Sequence, residues 1–456
     1  MEIKMNISKT IILAAGEGTR MHSQKPKVLH QVCGQNILDY VIAASSDAGI
    51  LDIAVIVGFQ AECVRASLAP GIATYFQQKQ LGTGHAVLQA LPFFENLQGN
   101  LIVLVGDAPL IRSETIRGLV LAHEAGGYAA TVLTAEFEEP SGYGRMVKNG
   151  AGELLKIVEE KDASPAEKQI KEINSGMYCF DAQALILALK ELKTNNVQSE
   201  YYLTDVIEIM RKMGKITGTY VTSEAADIQA VNSKIQLAEA EATMRKRTNG
   251  KLMDAGVTMI DPITTYIDSQ VSVGQDTILY PGVILEGPTV IGKDCVIGAN
   301  SRLVNVKIGH NVNIQSSTII DSSVDDYTNV GPYAYIRPGS QIGKHCKVGD
   351  FVEVKNSTMG DGAKASHLTY IGDGDVGENV NLGCGTVFVN YDGKKKYRTV
   401  VEKDAFVGCN TNLIAPVTVK EGAYVAAGST ITDDVPEDSL AIARARQINK
   451  VNYLKK

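Results

Sequence analysis

Residues 13–21 read LAAGEGTRM and continue a short apolar run that begins at Thr10. A glycine-rich turn that leaves a buried strand presents consecutive backbone N–H groups to an anion. Arg20 and Lys27 add two cations at the same place. The spacing matches neither the P-loop nor the dinucleotide-binding fingerprint. The pattern predicts a binding site for a nucleoside triphosphate; a plain β-turn with surface charges is the alternative for residues 16–18 taken alone.

Length and composition limit the class of protein. A chain of 456 residues is longer than one hydrophobic core usually supports, so two domains are expected. The net charge of -7 and the lack of a long Lys/Arg stripe argue against nucleic-acid binding. Seven cysteines, an odd number without a C-x-x-C pair, predict free thiols in a reducing compartment and argue against zinc. No apolar stretch reaches the ~18 residues of a membrane span, so we expect a cytoplasmic protein without membrane insertion.

The first part of the chain, residues 1–234, alternates short apolar runs with helical patterns. This alternation predicts a Rossmann-like α/β domain, with a mostly parallel sheet covered by helices on both faces. Ligands of such sheets bind beyond the carboxyl ends of the strands, where the glycine turn and Gly106-Asp107 both fall. Residues 235–255 predict a helical linker, with Asn232 or Ser233 as its N-cap. The predicted strands are Thr10–Ala14, Ile53–Val57 and Leu101–Val105, and the predicted helices are Ile37–Ala48 and Ser113–Ala125.

The second domain, residues 256–456, repeats an aliphatic residue at every sixth position. A period of six fits neither an α-helix nor an alternating strand, and it is typical of a parallel β-helix of hexapeptide repeats. Glycine often follows the aliphatic residue, as at Gly274 and Gly343, which we attribute to a tight corner after each short strand. An inserted loop, residues 389–399, breaks the register, and such loops often carry function. The periodic residues are Val273, Leu279, Leu285, Ile291, Ile297 and Leu303, then Val324, Val330, Ile336, Ile342, Val348 and Val354, and finally Val407, Leu413, Val419, Val425 and Ile431.

Five further motifs occur in the first domain, in the order LGTGHA (81–86), GDAPLI (106–111), GYGR (142–145), IVEEKDA (157–163) and EINSGMY (172–178). Their order and wording resemble the family of bifunctional N-acetylglucosamine-1-phosphate uridyltransferases / glucosamine-1-phosphate N-acetyltransferases, along essentially the whole chain. The resemblance implies a left-handed β-helix. It also implies acetyl-CoA-dependent N-acetylation of glucosamine-1-phosphate, then Mg²⁺-dependent uridylyl transfer from UTP with release of pyrophosphate. The product, UDP-N-acetylglucosamine, is a precursor of peptidoglycan and other envelope polymers.

Uridylyl transfer requires charge neutralisation and positioning more than covalent catalysis. Mg²⁺ prefers oxygen ligands and keeps several waters, so one carboxylate and one amide carbonyl suffice. Asp107, at a strand end, is the expected carboxylate, and the resemblance makes Asn232 the second ligand. Taken alone, Asp107 could be a turn former or a cap, and Asn232 a helix N-cap. Glu159 alone could be a solvated surface charge. The resemblance assigns nucleotide and sugar binding to Leu13, Ala14, Ala15, Gly16, Arg20, Lys27, Gln77, Gly82, Thr83, Gly144, Glu159, Asn174 and Asn232.

Acetyl transfer requires a base that deprotonates the sugar ammonium and N–H groups that stabilise the thioester oxyanion. His310 and His345 fall at repeat corners, where we expect solvated side chains. His367 lies in ASHLTYIGD, and the resemblance makes it the base; a structural histidine is the alternative when it is considered alone. The resemblance assigns glucosamine-1-phosphate to Arg337, Lys355, Tyr370 and Asn381, and acetyl-CoA to Cys384, Asn390, Tyr391, Cys409, Ala427 and Arg444, with the backbone N–H of Cys384 facing the oxyanion.

Three further features concern the second domain. Cys384 and Cys409 stand where the family often has alanine and serine. The basic run 394–398 fits a solvated loop tip or a contact to substrate phosphates. The final segment, residues 441–456, is too polar to continue the solenoid, and we expect it to cross to a neighbouring subunit of a homotrimer.

Two other functions fit parts of the sequence. The chain could be a nucleotidyltransferase whose β-helix is only a trimerisation scaffold, because solenoid repeats assemble without chemistry. It could also be a pyrophosphorylase for another base or sugar, with the β-helix as a regulatory binding module. His367, Tyr370 and the inserted loop argue against a passive scaffold.

Overall fold

The computed structural model describes residues 8–454. This part of the chain forms two compact units, divided between Met244 and Arg245. The division falls inside a long helix, Lys234–Asp254, which covers most of the expected linker. The proposed domain limits at residues 234 and 255 stay predictions. Within the described residues, no helix is long and apolar enough to cross a membrane.

The first unit is built on a mixed β-sheet. Ser8–Ala14 pairs in parallel with Ile53–Val57 and with Asn100–Val105. Glu172–Asp181 pairs antiparallel with both of its neighbours, so the mostly parallel sheet is confirmed with this strand as an insertion. In sheet order the strands are Thr217–Val221, Ala130–Glu136, Glu172–Asp181, Asn100–Val105, Ser8–Ala14, Ile53–Val57 and Ala73–Phe76, and the antiparallel pair Gly144–Lys148 and Leu154–Val158 joins Glu172–Asp181.

Both faces of this sheet are buried. Ile11 belongs to the core on one face and Ile12 to the core on the other, and both are fully buried. A strand buried on both faces carries a continuous apolar run, which explains why Thr10–Ala14 lacks alternation. The two predicted helices are confirmed and end at Asp47 and Gly126. The helices are Ile37–Asp47, Ala61–Ser67, Thr83–Gln89, Leu91–Phe94, Ser113–Gly126, Ala182–Leu189, Asp205–Lys212 and Lys234–Asp254, with 3-10 turns at Thr19–Met21, Lys27–Leu29, Glu167–Gln169 and Ala225–Ile228 and a small hairpin of Gln31–Val32 with Gln35–Asn36.

The carboxyl ends of the parallel strands carry the loops that the sequence marks for ligand binding. The glycine turn follows one strand and Gly106-Asp107 follows its neighbour, and the N–H of Gly106 donates to the carbonyl of Leu13 at 2.8 Å. Gly18 has a left-handed φ of 66°, and a Cβ at this position would lie 2.8 Å from Cβ of Lys27. Glycine therefore lets the turn close onto Lys27.

The second unit is a parallel β-helix. Its strands form three sheets, and each strand pairs in parallel with the equivalent strand of the next coil. The first sheet contains Thr258–Met259, Ile278–Leu279, Val296–Ile297, Asn313–Ile314, Asn329–Val330, Lys347–Asp350, Lys364–His367, Asn381–Leu382, Phe406–Val407, Tyr424–Val425 and Leu440–Ala441. The second contains Tyr266–Ile267, Ile284–Glu286, Arg302–Val304, Thr318–Ile320, Tyr335–Ile336, Glu353–Lys355, Tyr370–Gly372, Val387–Val389, Asn412–Ile414 and Thr430–Ile431. The third contains Ser272–Val273, Val290–Ile291, Lys307–Ile308, Ser323–Val324, Gln341–Ile342, Thr358–Met359, Gly374–Val376, Thr399–Val401 and Val417–Val419.

The aliphatic positions of the repeat form one continuous core inside the β-helix. Leu279, Leu285 and Ile297 are fully buried, and Val273 packs against the core as a partly buried residue. The inserted loop is also confirmed, because the strand Val387–Val389 of the second sheet ends at Val389 and the next strand, in the third sheet, begins only at Thr399. The hexapeptide period thus predicts both the buried column and the place where the register breaks.

The explanation given above for the repeated glycines is wrong. A Cβ on Gly274 would lie 2.6 Å from the carbonyl carbon of Gly292 in the next coil. The stacking of coils, rather than a tight corner, therefore excludes a side chain there. Left-handed φ values occur instead three residues after an aliphatic position, as at Asp294 (57°) and Asn300 (58°). Asp and Asn tolerate this conformation better than other residues that carry a Cβ.

Candidate active sites

The first site contains a lysine that contacts both expected metal ligands. Nζ of Lys27 donates to the carboxylate of Asp107 and to Oδ1 of Asn232, the second bond at 2.9 Å. The side chains of Lys27 and Asp107 are largely buried, at 13% and 16% exposure. Two oxygens from separate loops therefore converge on one cationic position. Oxygen donors of this kind suit Mg²⁺.

The local structure leaves the Asn232 side chain available for this role. Oγ of Ser233 accepts a hydrogen bond from the N–H of Gln236 at 3.2 Å, so Ser233 caps the helix that begins at Lys234. The Gln236 side chain accepts in return from the N–H of Asn232 at 2.8 Å. The N–H of Val231 donates to the carbonyl of Asp107 at 2.8 Å, which holds the two loops together.

The loops expected to bind the nucleotide lie beside one another. Ala15 is buried, and its carbonyl accepts from Nε2 of Gln80 at 2.7 Å and from the N–H of Phe59 at 3.1 Å. Gln77 is buried and donates to the carbonyl of Gly82 at 3.1 Å. Sequence reasoning missed Gln80, because a polar residue between two motifs carries no periodic signal. The remaining members of this group are placed as follows: Leu13 and Ala14 end the first strand, Gly16 and Arg20 are exposed, and Thr83 accepts from the N–H of Leu203 at 3.0 Å.

Three residues expected at the sugar come together on the antiparallel strands. Gly144 lies opposite Asn174, and a Cβ on Gly144 would lie 3.6 Å from Oε2 of Glu159. Burial raises the pKa of the Glu159 carboxyl, although the hydroxyl of Thr204 donates to it at 3.4 Å and opposes the shift. The amide of Asn174 donates to the hydroxyl of Tyr178 at 2.9 Å. Glu159 is thus a half-buried acceptor beside the space left by Gly144, rather than a solvated charge. The sequence analysis assigned no role to Thr204 or to Tyr178, the last residue of the EINSGMY motif.

The second site centres on His367. It ends a strand of the first sheet, where it lies opposite Asp350 of the preceding coil. Nδ1 of His367 lies within hydrogen-bonding distance of the Asp350 carboxylate, and the imidazole is 53% exposed. This hydrogen bond lowers the pKa of Asp350. Sequence reasoning missed Asp350. Counting back one coil from His367, which is 17 residues here, would have identified it.

Cations and a carboxylate cluster where neighbouring strands of the second sheet end, at Lys355 and just after Gly372. Nζ of Lys355 donates to both oxygens of Asp373 at 3.0 Å, and the amide of Asn390 donates to the same carboxylate at 2.5 Å. Burial alone would lower the pKa of Lys355, but the hydrogen bonds to Asp373 raise it overall. The neighbouring Lys355 ammonium lowers the pKa of Lys396. Two ammonium groups thus lie close together beside one carboxylate.

The basic loop divides into residues with different roles. Arg398 donates to Asp375 and to the carbonyl of Gly374, so it anchors the end of the loop. Lys396 is the member that reaches Lys355. The basic run 394–398 carries no pattern in the sequence that separates these two roles.

The remaining predicted sugar-phosphate residues occupy two sheets. Arg337 lies on the second sheet and donates to Glu353 at 2.7 Å, and Tyr370 lies one coil beyond Glu353 in the same column. Asn381 lies on the first sheet, opposite Lys364. The structure therefore gathers Arg337 and Tyr370 on one face and leaves Asn381 on another.

Three of the predicted acetyl-CoA residues form a column with His367 along one corner of the β-helix. Strand register places Lys364, Asn381, Phe406 and Tyr424 in consecutive coils. His367, Cys384, Cys409 and Ala427 each follow these by three residues and so share one corner. A Cβ on Gly428 would lie 3.7 Å from Cδ of Arg444, so the Arg444 side chain lies near the same corner. Asn390 lies at the opposite end of the second sheet, and Tyr391 is exposed in the inserted loop. As expected, His310 and His345 are exposed elsewhere.

Comparison with known proteins finds family matches in both units. The nucleotidyl transferase family matches residues 9–243. The bacterial transferase hexapeptide family (six repeats) matches residues 270–304, and the hexapeptide repeat of succinyl-transferase matches residues 288–322 and 398–433. The "Bifunctional protein GlmU" of Alkaliphilus oremlandii is 57% identical over 448 residues, which cover 98% of each chain. The proteins of the same name from Alkaliphilus metalliredigens and Clostridioides difficile are 54% and 52% identical, over 98% of this chain and 98% and 97% of theirs.

The chain belongs to the GlmU family of bifunctional proteins. The fold expected from the sequence, an α/β nucleotidyltransferase domain followed by a left-handed hexapeptide β-helix, is confirmed. The expected function is confirmed as well: the protein is a transferase with a nucleotidyltransferase activity and an acyltransferase activity.

Proposed function

We propose that the first unit transfers the uridylyl group of UTP to N-acetylglucosamine-1-phosphate and that the β-helix first makes this acceptor from glucosamine-1-phosphate and acetyl-CoA. The proposal rests on one observation: each unit contains its own group of candidate active-site residues. Asp107 and Asn232 converge on one cationic position in the first unit, and His367 pairs with Asp350 in the second. UDP-N-acetylglucosamine is then the product of the two steps in sequence.

In the first unit, Asp107 and Asn232 would hold Mg²⁺, since both present oxygen atoms to one cation. When bound, the metal supplies neutralisation of phosphate charge. A metal at this position would take the place of the Lys27 ammonium. Lys27 would then provide a second cation for the triphosphate, beside the N–H groups of the glycine turn. Arg20 is exposed at the same turn and adds a third. These residues orient the triphosphate for in-line attack by the sugar phosphate.

The sugar of the acceptor would occupy the space beside Gly144. The absence of a side chain at Gly144 leaves the carboxylate of Glu159 open to a sugar hydroxyl, and Asn174 lies on the adjoining strand. A buried carboxylate is a strong and selective acceptor for hydroxyl groups. Gln77, Gly82 and Thr83 would frame the uracil from the neighbouring loop.

In the second unit, His367 would take a proton from the sugar ammonium at Nε2. The Asp350 carboxylate would accept a hydrogen bond from the N–H at Nδ1, which fixes the tautomer and stabilises the imidazolium that forms. The free amine then attacks the thioester carbonyl, and we assign the backbone N–H of Cys384 to the resulting oxyanion. Collapse of this intermediate expels the thiolate of coenzyme A, which takes up the proton held by His367, and the new amide nitrogen loses its extra proton to water.

The phosphate of glucosamine-1-phosphate would lie beside Lys355, where strands of the second sheet end. Lys355 and Lys396 place two ammonium groups there, and Arg337 adds a guanidinium on the same face. Asp373 and Asn390 hold Lys355 in place. Cys409, Ala427, Tyr391 and Arg444 would contact acetyl-CoA, and Asn381 the sugar.

We further propose that the protein acts in the cytoplasm as a homotrimer. An apolar column at the His367 corner supports self-assembly: Tyr333, Phe351 and Leu368 are 62%, 58% and 58% exposed, and the rings of Tyr333 and Phe351 stack at 5.5 Å. Exposed apolar residues continue in the final segment, including Ile448 and Val451. A neighbouring subunit that covers these residues would remove this surface from water.

One assay tests the two activities together. Glucosamine-1-phosphate, acetyl-CoA, UTP and Mg²⁺ are supplied, and each is omitted in turn. We expect UDP-N-acetylglucosamine only from the complete mixture, and substitution of N-acetylglucosamine-1-phosphate for the first two should restore it. UDP-glucosamine that forms from glucosamine-1-phosphate and UTP as fast without acetyl-CoA as UDP-N-acetylglucosamine forms in the complete mixture would contradict the proposal and favour a passive β-helix.

A further inference from the structure

Two free thiols are neighbours on the corner column that contains His367. Cys384 and Cys409 lie three residues beyond the register-matched pair Asn381 and Phe406. The carbonyl of Cys384 accepts a hydrogen bond from the N–H of Asn410 at 2.7 Å, as expected for adjacent parallel chains. The two cysteines therefore occupy matched positions in consecutive coils.

The spacing of the backbone suits a disulfide. Neighbouring strands of a sheet lie about 4.8 Å apart, and disulfides join Cα atoms about 4.4 to 6.8 Å apart. A Cβ on Gly383 would lie 2.9 Å from Cα of Cys409, which shows how closely the two coils approach at this corner. The separation of the two backbones at this corner is therefore compatible with the Cα separation of a disulfide.

The other cysteines of the β-helix are placed differently. Cys295 and Cys346 are buried in the core, and each thiol donates to a glycine carbonyl at 3.1 Å. Burial raises the pKa of Cys346 to about 11. Cys384 is half-buried and Cys409 is exposed, so a reagent in water reaches this pair but not the core thiols.

We propose that Cys384 and Cys409 form a redox-active dithiol that a low-molecular-weight disulfide converts into an intramolecular disulfide. The thiolate of one cysteine attacks the small disulfide, forms a mixed disulfide and expels one small thiolate. The thiolate of the second cysteine attacks the protein sulfur of that mixed disulfide, forms the Cys384–Cys409 bond and expels the second small thiolate. The protein loses two electrons and two protons, which the small disulfide gains as it becomes two thiols.

The bond would stop acetyl transfer reversibly. It would fix two consecutive coils at the corner where the thioester is expected, next to His367 and the N–H assigned to the oxyanion. The effect on activity rests on the proposed acetyl-CoA site, whereas formation of the disulfide does not. Uridylyl transfer should be unaffected, because the residues assigned to it lie in the first unit.

The test uses the full-length protein and oxidised glutathione as the small disulfide. After the reaction is quenched with acid and an alkylating agent, mass spectrometry should show the loss of two hydrogens and a cross-linked pair of peptides containing Cys384 and Cys409. Acetyl transfer should fall by more than about tenfold and return with dithiothreitol, while uridylyl transfer stays constant.

Single variants separate the two steps. Cys384→Ala and Cys409→Ser should each stop at a stable glutathione adduct on the remaining cysteine. Cys63, an exposed thiol of the first unit, reports the reactivity of an isolated cysteine in every sample. In the double variant, oxidised glutathione should cause no further loss of whatever acetyl transfer that variant has.

Three results would overturn the inference. These are stable separate adducts on both cysteines of the native protein, a cross-link that leaves acetyl transfer unchanged, and equal inactivation of the double variant. If the untreated chain had no acetyl-transfer activity, the proposed function would fail, and the cross-link would still decide whether the dithiol exists.

Discussion

His367 and Asp350 occupy matched positions in consecutive coils of the β-helix, and Nδ1 of the histidine lies within hydrogen-bonding distance of the Asp350 carboxylate. The coil register therefore fixes both the position and the tautomer of the proposed base. A change at Asp350 should alter catalysis without touching either substrate. The predictions below begin from this pair.

Asp350→Asn should lower acetyl transfer by at least about tenfold, but by less than removal of the base itself. The hydrogen bond to His367 holds the pKa of Asp350 below its ordinary range, so the carboxylate is ionised at any pH above that range. Titration of Asp350 itself should therefore contribute no pH dependence to the native rate between about pH 6 and 9. A ratio of variant to native rates that approaches one at the acidic end would show that the carboxylate is already neutral there.

His367→Ala should lower acetyl transfer by roughly 10² to 10⁴, the usual contribution of a positioned general base. The loss should shrink as pH rises, because more of the sugar amine is then unprotonated. Uridylyl transfer from N-acetylglucosamine-1-phosphate, measured in the same preparation, is the control for folding. An unchanged acetyl-transfer rate at neutral pH would remove His367 from the mechanism.

Asp107→Ala should abolish uridylyl transfer and leave acetyl transfer intact, because it removes the carboxylate expected to hold Mg²⁺. Asn232→Ala, which keeps that carboxylate, should raise the Mg²⁺ concentration needed for half-maximal rate. Titration of Mg²⁺ at saturating substrates separates the two effects. Comparable loss of both activities in the Asp107 variant would show that this residue is structural.

Glu159→Gln should raise KM for N-acetylglucosamine-1-phosphate more than it changes kcat, since the carboxylate is expected to accept a sugar hydroxyl. Burial raises the pKa of Glu159, so its neutral form persists to a higher pH than that of an exposed glutamate. In the native protein KM should therefore rise as pH falls through the raised pKa. The variant should show a high KM that does not depend on pH over the same interval, and a pH-dependent KM in the variant would assign the titration to another group.

The fold could be predicted from particular patterns in the sequence. A residue such as Leu285 recurs every six positions because each coil must bury one aliphatic side chain per strand, so the period reports the structure directly. The strand Ser8–Ala14 is buried on both faces and carries an uninterrupted apolar run. The antiparallel strand Glu172–Asp181 gave no such signal, because pairing direction depends on contacts distant in sequence.

The sites could be predicted only where a motif carried them. Asp350 and Gln80 were missed as site residues because their roles come from register and loop packing. Lys396 was included only as one of a basic run, because its proximity to Lys355 comes from loop packing. The reason for glycine at Gly274 also lies between coils rather than within one. Sequence reasoning therefore finds residues whose local conformation is unusual and misses those defined by a neighbour in space.

The central claim is that one chain holds two complete and independent sites, and complementation between two inactive variants tests it most directly. Asp107→Ala and His367→Ala are each incubated with glucosamine-1-phosphate, acetyl-CoA, UTP and Mg²⁺, alone and as an equimolar mixture. We expect little UDP-N-acetylglucosamine from either variant alone and sustained formation from the mixture, because N-acetylglucosamine-1-phosphate released by one protein is the substrate of the other. A mixture that remains as inactive as its components, although both variants are folded, would contradict the account.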